Sequence, residues 1–278
     1  MKKALIGYQV YSAREDAQKD LLGTLKKLKE MGYDGVEFAG FYGHPAEEVK
    51  QMLDEAGIIA ISDHVPFAQI EKDMYKVISD HLTIGCKFIA VPFLDEATRP
   101  GSAGFGKTLG QIYFFGELCR KAGITLLYHN HDFEFCTISG EYGLDFIYDV
   151  VPADVLKTEI DCCWVKYSGI DPAEYVRKYA GRCPIIHLKD FVGRKDGDKS
   201  PYALIGADGT SESAKASDEV SFEFRPVGYG CQDIPSIVNA GLESGAGWFI
   251  VEQDQSVGRP ALEAAKMSVE YLRGTGLF

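Results

Sequence analysis

Residues 108–135 read TLGQIYFFGELCRKAGITLLYHNHDFEF, and the change of period inside this stretch decides the fold. TLGQIYFFGELCRKAG (108–123) carries its apolar residues at helical spacing and stops at Gly123, a residue free to take the positive φ of a helix C-terminus. ITLLYHN (124–130) then runs apolar without interruption, too briefly for a helix but suited to a strand buried on both faces of a parallel sheet. Polar, metal-ligating side chains follow at once: His129, His131 and Glu134.

The same phrase recurs along the whole chain of 278 residues. Strand-like runs fall at 4–11, 35–39, 58–65, 88–94, 124–130, 156–162, 185–190 and 248–254. Amphipathic helical patterns fill 16–32, 45–57, 70–85, 108–123, 142–150, 171–181, 233–245 and 259–274. Alternation of this kind marks repeated βα units on a parallel sheet. Eight units predict a single-domain (β/α)8 TIM barrel over 1–278, whose closure removes both sheet edges. The competing open, doubly wound sheet typically has five or six strands and a glycine-rich first turn, and no GxGxxG follows the first strand. Gly32, Gly57, Gly85, Gly123, Gly181 and Gly245 are expected helix stops. One stretch, 192–225, breaks the alternation: it is long, polar and Gly/Ser/Asp-rich, and reads as a loop insertion on the functional face, either a variable surface loop or a lid or oligomer contact.

Composition narrows the function classes. A formal charge of −12 argues against nucleic acid, which needs an electropositive surface. The opening MKKALIGYQVYS is interrupted at Gly7, Tyr8 and Gln9, short of a signal-peptide core or a membrane span, so the expectation is a cytoplasmic protein with no membrane partner. Seven cysteines without a CxxC pair predict free thiols rather than a disulfide framework, and Cys162 and Cys163 read as small apolar groups.

In a barrel the carboxyl ends of all strands open on one face, where the active site lies. Strand ends therefore locate it. LKTEIDCCWV (156–165) delivers Asp161, IIHLKDF (185–191) delivers His187 and GWFIVEQD (247–254) delivers Glu252, alongside His129, His131 and Glu134. Strand period two places His129 with His131, Glu159 with Asp161, His187 with Lys189, and Glu252 with Asp254 on common faces. Converging buried carboxylates and imidazoles imply a cation or a tightly paired network. Oxygen donors with one or two imidazoles suit one divalent metal ion, Mn²⁺, Mg²⁺, Co²⁺ or Zn²⁺. The expected ligands are Glu134, Asp161, His187 and Glu252, with His129 competing for the place of Glu134. His129, His131 and Lys189 are the catalytic candidates, Lys189 to stabilise a developing oxyanion. Glu37 and His64, at the exits of strands two and three, are candidates for substrate binding.

GYQVYSAR, YDGVEFAG, SDHVPF, LLYHNHDFEF, TEIDCCWV, IIHLKD, PVGYG and FIVEQD together resemble the xylose isomerase-like TIM-barrel superfamily of sugar phosphate isomerases and epimerases, which includes ketose 3-epimerases and inosose dehydratases. The resemblance spans nearly the whole chain. It implies a metal held by Glu, Asp, His and Glu from strands five to eight, which maps onto Asp161, His187 and Glu252. At strand five many members have Glu followed by Asn-His, whereas this chain has His129-Asn130-His131. The resemblance also implies a small sugar or sugar-phosphate substrate and a homodimer.

The chemistry such a site suits is proton abstraction beside a carbonyl. Isomerisation or epimerisation of a ketosugar through an enediolate is the leading expectation, and dehydration of an inosose or elimination from a 3-keto sugar the alternative. A DNA-repair endonuclease of the same superfamily and a non-catalytic sugar-binding barrel are the remaining readings.

Overall fold

The computed structural model describes residues 4–193 and 222–278. Eight parallel strands form a closed barrel: β1 (Leu5–Gln9), β2 (Gly35–Phe38), β3 (Ile59–His64), β4 (Phe88–Val91), β5 (Thr125–His129), β6 (Leu156–Asp161), β7 (Ile185–Leu188) and β8 (Trp248–Val251). Around it lie α1 (Leu21–Met31), α2 (Ala46–Ala56), α3 (Met74–Ile84), α4 (Phe105–Ala122), α5 (Gly143–Val150), α6 (Pro172–Lys178), α7 (Ile234–Glu243) and α8 (Ala261–Gly274). The expected (β/α)8 barrel is the observed architecture. β8 closes on β1 in register from Leu5↔Trp248 to Tyr8↔Val251. The outer layer repeats this closure: Arg273 donates to Gly32 O and to Asp34 Oδ2, both at 2.8 Å, and Asp34 Oδ2 also accepts the Ile6 N–H at 2.9 Å.

The barrel interior is layered. Ile61, Ala90, Leu127, Ile185 and Ile250 make an apolar floor. One pleat further along, the same faces of β5, β7 and β8 carry His129, His187 and Glu252, so alternation in sequence becomes stacking in space. Register adds the lateral order, with His129 opposite Glu159 and Asp161 opposite His187.

Several elements depart from the sequence reading. The helix expected over 16–32 is two, Arg14–Lys19 and α1, because Asp20 leaves helical φ/ψ and caps the second piece by accepting from Gly23 N. Asp73 does the same within 70–85, separating Phe67–Lys72 from α3 by accepting from Lys76 N. A short helix, Cys162–Tyr167, follows β6 directly, capped by Asp161. Gly32, Gly57, Gly85 and Gly123 end their helices in left-handed conformation. Of the polar stretch 192–225, residues 194–221 lie outside the described residues. At its ends, Asp190–Val192 pairs antiparallel with Glu223–Arg225. All seven cysteines are free. Among the described residues no helix is long and apolar enough to cross a membrane.

Candidate active site

Two tiers of ionisable side chains fill the carboxyl end of the barrel. The upper tier centres on Lys189, whose Nζ lies 3.0 Å from Asp161 Oδ2, 3.0 Å from Glu252 Oε2 and 3.2 Å from Asp254 Oδ2. Lys189 is 1% exposed, so these carboxylates rather than water hold its charge. Burial alone would depress its pKa, but Asp161, Asp254 and Glu252 outweigh burial and raise it well above the ordinary lysine value. Asp161 divides its two oxygens. Oδ1 accepts from Cys163 N at 2.7 Å and Trp164 N at 3.4 Å as the helix cap, leaving Oδ2 for the site. Asn130 fixes the backbone there, accepting from Asp161 N at 3.0 Å and donating to Asp161 O at 3.3 Å.

The lower tier holds Glu37, Glu159 and His64. Glu159 Oε1 lies 2.7 Å from His64 Nε2 and 3.2 Å from His129 Nδ1. Glu37 accepts from Gln9 Nε2 at 2.8 Å and from Ser62 Oγ, and its Oε1 lies 2.8 Å from His187 Nε2. Burial works against a charged His64, yet the Glu37 and Glu159 carboxylates raise its pKa to about 10. His129 goes the other way: burial, then the charges of His187 and His64, hold it neutral.

Of the residues expected from sequence, the structure brings Asp161, His187 and Glu252 together with His129, their donor atoms all within 4.8 Å of one another. Glu134 is not among them. It sits in a 3-10 turn beyond the end of β5, where Oε1 accepts from Tyr128 OH at 2.7 Å and Oε2 from His131 N at 2.8 Å. Burial pushes its carboxyl up to about 8. Its geometry is that of a brace for the loop carrying His131. Glu37, expected to bind substrate, is fully buried in the lower tier, and His64 lies beside it. His131 stacks between Phe133 and Trp164, with centroids at 5.6 and 5.4 Å. Burial, then Lys189, keeps this imidazole neutral.

Sequence reasoning left out Glu159, Asp254 and Gln9 as site residues. Period-two parity carried a signal for the first two, since they share faces with Asp161 and Glu252. Asp254 Oδ2 meets Lys189, and Asp254 O accepts from Arg14 Nη1 at 2.8 Å, which ties the end of β8 to the segment after β1. Burial lifts its carboxyl to about 7 despite the neighbouring ammonium.

Residues 25–275 match the sequence model of the xylose isomerase-like TIM barrel. The chain belongs to that family. An inosose dehydratase of Geobacillus kaustophilus is 24% identical over 281 residues, covering 90% of this chain and 85% of that protein. A sugar phosphate isomerase/epimerase from Parabacteroides distasonis superposes with a TM-score of 0.76 at 21% identity, covering 99% of this chain and 95% of its own. The IOLI protein, whose crystal structure has a bound zinc atom, gives a TM-score of 0.72 at 14% identity over 99% of both chains.

The residues present in this xylose isomerase-like barrel fit a divalent cation. Asp161, Glu252 and Asp254 crowd three carboxyl groups around Lys189, with His187 hydrogen-bonded to Glu252 at 2.8 Å. Asp161 Oδ2 and Asp254 Oδ2 are buried and meet Lys189 as ion pairs without making a hydrogen bond. Burial makes these carboxyl groups costly to ionise, and a cation beside them would offset that cost together with Lys189. Two imidazoles with two carboxylates, and no thiolate, are a nitrogen and oxygen donor set that suits a divalent cation.

Proposed function

We propose that this barrel is a lyase that removes a proton beside the carbonyl of a small polyhydroxy ketone and expels a β-hydroxyl as water, an inosose being the best-supported substrate class. His129, Asp161, His187 and Glu252 would hold one divalent cation. Their convergence at the carboxyl ends of four successive strands is the observation that carries the reading. When bound, such an ion supplies Lewis-acid polarisation of a carbonyl oxygen.

The chain's own groups account for the proton transfers. His131, held neutral, is in the form that accepts the proton from carbon. Lys189 places a fixed positive charge where negative charge develops on oxygen, in surroundings that strengthen the interaction. Asp254, with its pKa near 7, keeps a substantial protonated fraction at neutral pH and can deliver that proton to the departing hydroxyl. Carbon thus loses a proton to His131, and the C–O bond breaks with its electron pair leaving as water. The inosose dehydratase relative, aligned over 90% of the chain, supports elimination. The same acid and base on opposite faces of a ketosugar or sugar phosphate would epimerise or isomerise it, which the epimerase-like structural neighbour keeps as the second reading.

Incubation of 2-keto-inositol with protein and Mn²⁺ or Co²⁺ in D₂O distinguishes them. Water loss with growth of enone absorbance is the expected result. Deuterium incorporation with no water loss would transfer the assignment to epimerisation, and neither signal on keto-inositols, 3-keto sugars or ketoses would remove the proposal.

A further inference from the structure

The two tiers share His129 and His187, and each ring faces both. His187 Nδ1 is hydrogen-bonded to Glu252 Oε2 at 2.8 Å, whereas its Nε2 makes no hydrogen bond and lies 2.8 Å from Glu37 Oε1 and 3.2 Å from Glu159 Oε1. His129 turns Nε2 toward Asp161 Oδ2 at 3.7 Å and Nδ1 toward Glu159 Oε1 at 3.2 Å. The ring centroids are 4.6 Å apart, so the two imidazoles form a partition across the barrel. Glu37 and Glu159 lie beneath it with no exposed surface.

We propose that Glu159 and Glu37 are positioning residues of the cation site, fixing the tautomers of His129 and His187. The inference rests on the cation reading given above. A neutral imidazole carries one ring proton, and the nitrogen opposite it is the one with a free lone pair. Left to the upper tier alone, His187 would place its proton on Nδ1 to donate to Glu252, and His129 would place its proton on Nε2 to donate toward Asp161. Both would then present N–H to the cation position. Glu159 is in hydrogen-bond geometry with His129 Nδ1 at 3.2 Å, and Glu37 Oε1, 2.8 Å from His187 Nε2, is near enough to compete for the second proton. With N–H at His129 Nδ1 and His187 Nε2, the upper nitrogens become donors, and a carboxylate behind an imidazole also raises its basicity.

The lower tier is built for this task. Glu159 is the register partner of His129 across β5 and β6, so strand pairing sets their separation. Glu37 is anchored by Gln9 and Ser62 and cannot swing toward the mouth. His64, 2.7 Å from Glu159 and 3.1 Å from Glu37, supplies a positive partner that lets two carboxylates stay buried together.

Calorimetric titration of the metal-free full-length chain with Co²⁺ tests the inference on Glu159→Gln and Glu37→Gln, with thermal melting to confirm that each variant folds. One site per chain is expected throughout, weakened about 10–100-fold in either variant, as is typical when a carboxylate behind a ligand histidine is lost. The visible Co²⁺ spectrum should change, and Glu159→Asp should recover part of the affinity. Unchanged affinity and spectrum in both variants would overturn the proposal. So would Glu159→Gln abolishing binding while Asp161→Asn retains it, because the ion would then sit in the lower tier. Should Glu159→Gln not fold, Glu37→Gln reads the same effect through His187. Failure of the unaltered protein to bind Co²⁺ would remove the cation reading itself, an outcome distinct from binding that ignores the lower carboxylates.

Discussion

Asp161 shows how one side chain can be structural and functional together. Its Oδ1 caps the helix Cys162–Tyr167, while Oδ2 faces Lys189 and His129. The two duties separate by substitution. Asp161→Asn keeps an oxygen for the Cys163 N–H and so keeps the cap, whereas cation affinity should fall by more than the ~10–100-fold typical of an outer carboxylate. Asp161→Ala should lose affinity as well and, in addition, about 1 kcal/mol of stability from the cap. Equal melting temperatures for the two variants would argue against the cap. His81 offers a second test at this scale. Buried between Val77 O at 2.6 Å and Asp63 Oδ2 at 3.0 Å, it has an acceptor at each nitrogen. Burial opposes its protonation, but Asp63 and the Val77 carbonyl prevail and raise its pKa. Its folded pKa lies above the unfolded value of about 6.5. The stabilisation is therefore complete below that pH and fades as pH rises through the folded value. The melting-temperature gap between the parent and His81→Gln should be largest in mild acid and narrow toward alkaline pH, and a gap that widens with pH would refute this.

At the scale of elements, Asp190 organises the segment between the antiparallel ribbon and α7. Its carboxylate accepts backbone N–H groups from Phe191, Gly228, Gly230 and Gln232 at 2.9–3.0 Å. Gly230 must lack a side chain, since a Cβ there would collide with the Asp190 carboxylate and the Phe191 carbonyl oxygen. Asp190→Ala and Gly230→Ala should both accelerate amide exchange at residues 228–232 and leave the barrel strands protected; unchanged exchange would dismiss the clamp. The eight βα repeats were legible because their burial is periodic, and four of the helix-ending glycines sit where their conformational role predicts. Asp20 and Asp73 hid their helix breaks because apolar spacing continues across them and only the capping side chain interrupts the backbone. Convergence of His129, Asp161, His187 and Glu252 followed from strand parity. The place of Glu134 did not, because it lies beyond β5, where a turn rather than the pleat decides direction. Lys189 and Asp254 came to the same point by parity, but their ion pair is a fact of three dimensions.

Over the whole molecule, the site depends on closure. The upper donors come from β5 to β8 and their continuations, whereas Glu37 and His64 come from β2 and β3 on the other half of the ring. The β8–β1 seam, the Arg273 ties to Gly32 and Asp34, and the Arg14 bond to Asp254 O complete the circle. An ion recognised by the complete ring and not by an unfolded chain would favour the folded state by mass action, by about 2.7 kcal/mol at a hundredfold excess over its dissociation constant. Chelator should then lower the unfolding midpoint, and a half-assembled sheet, with its histidine tautomers unset, would have little grip on the ion. Affinity for Co²⁺ would thereby gauge whether the last stave has met the first.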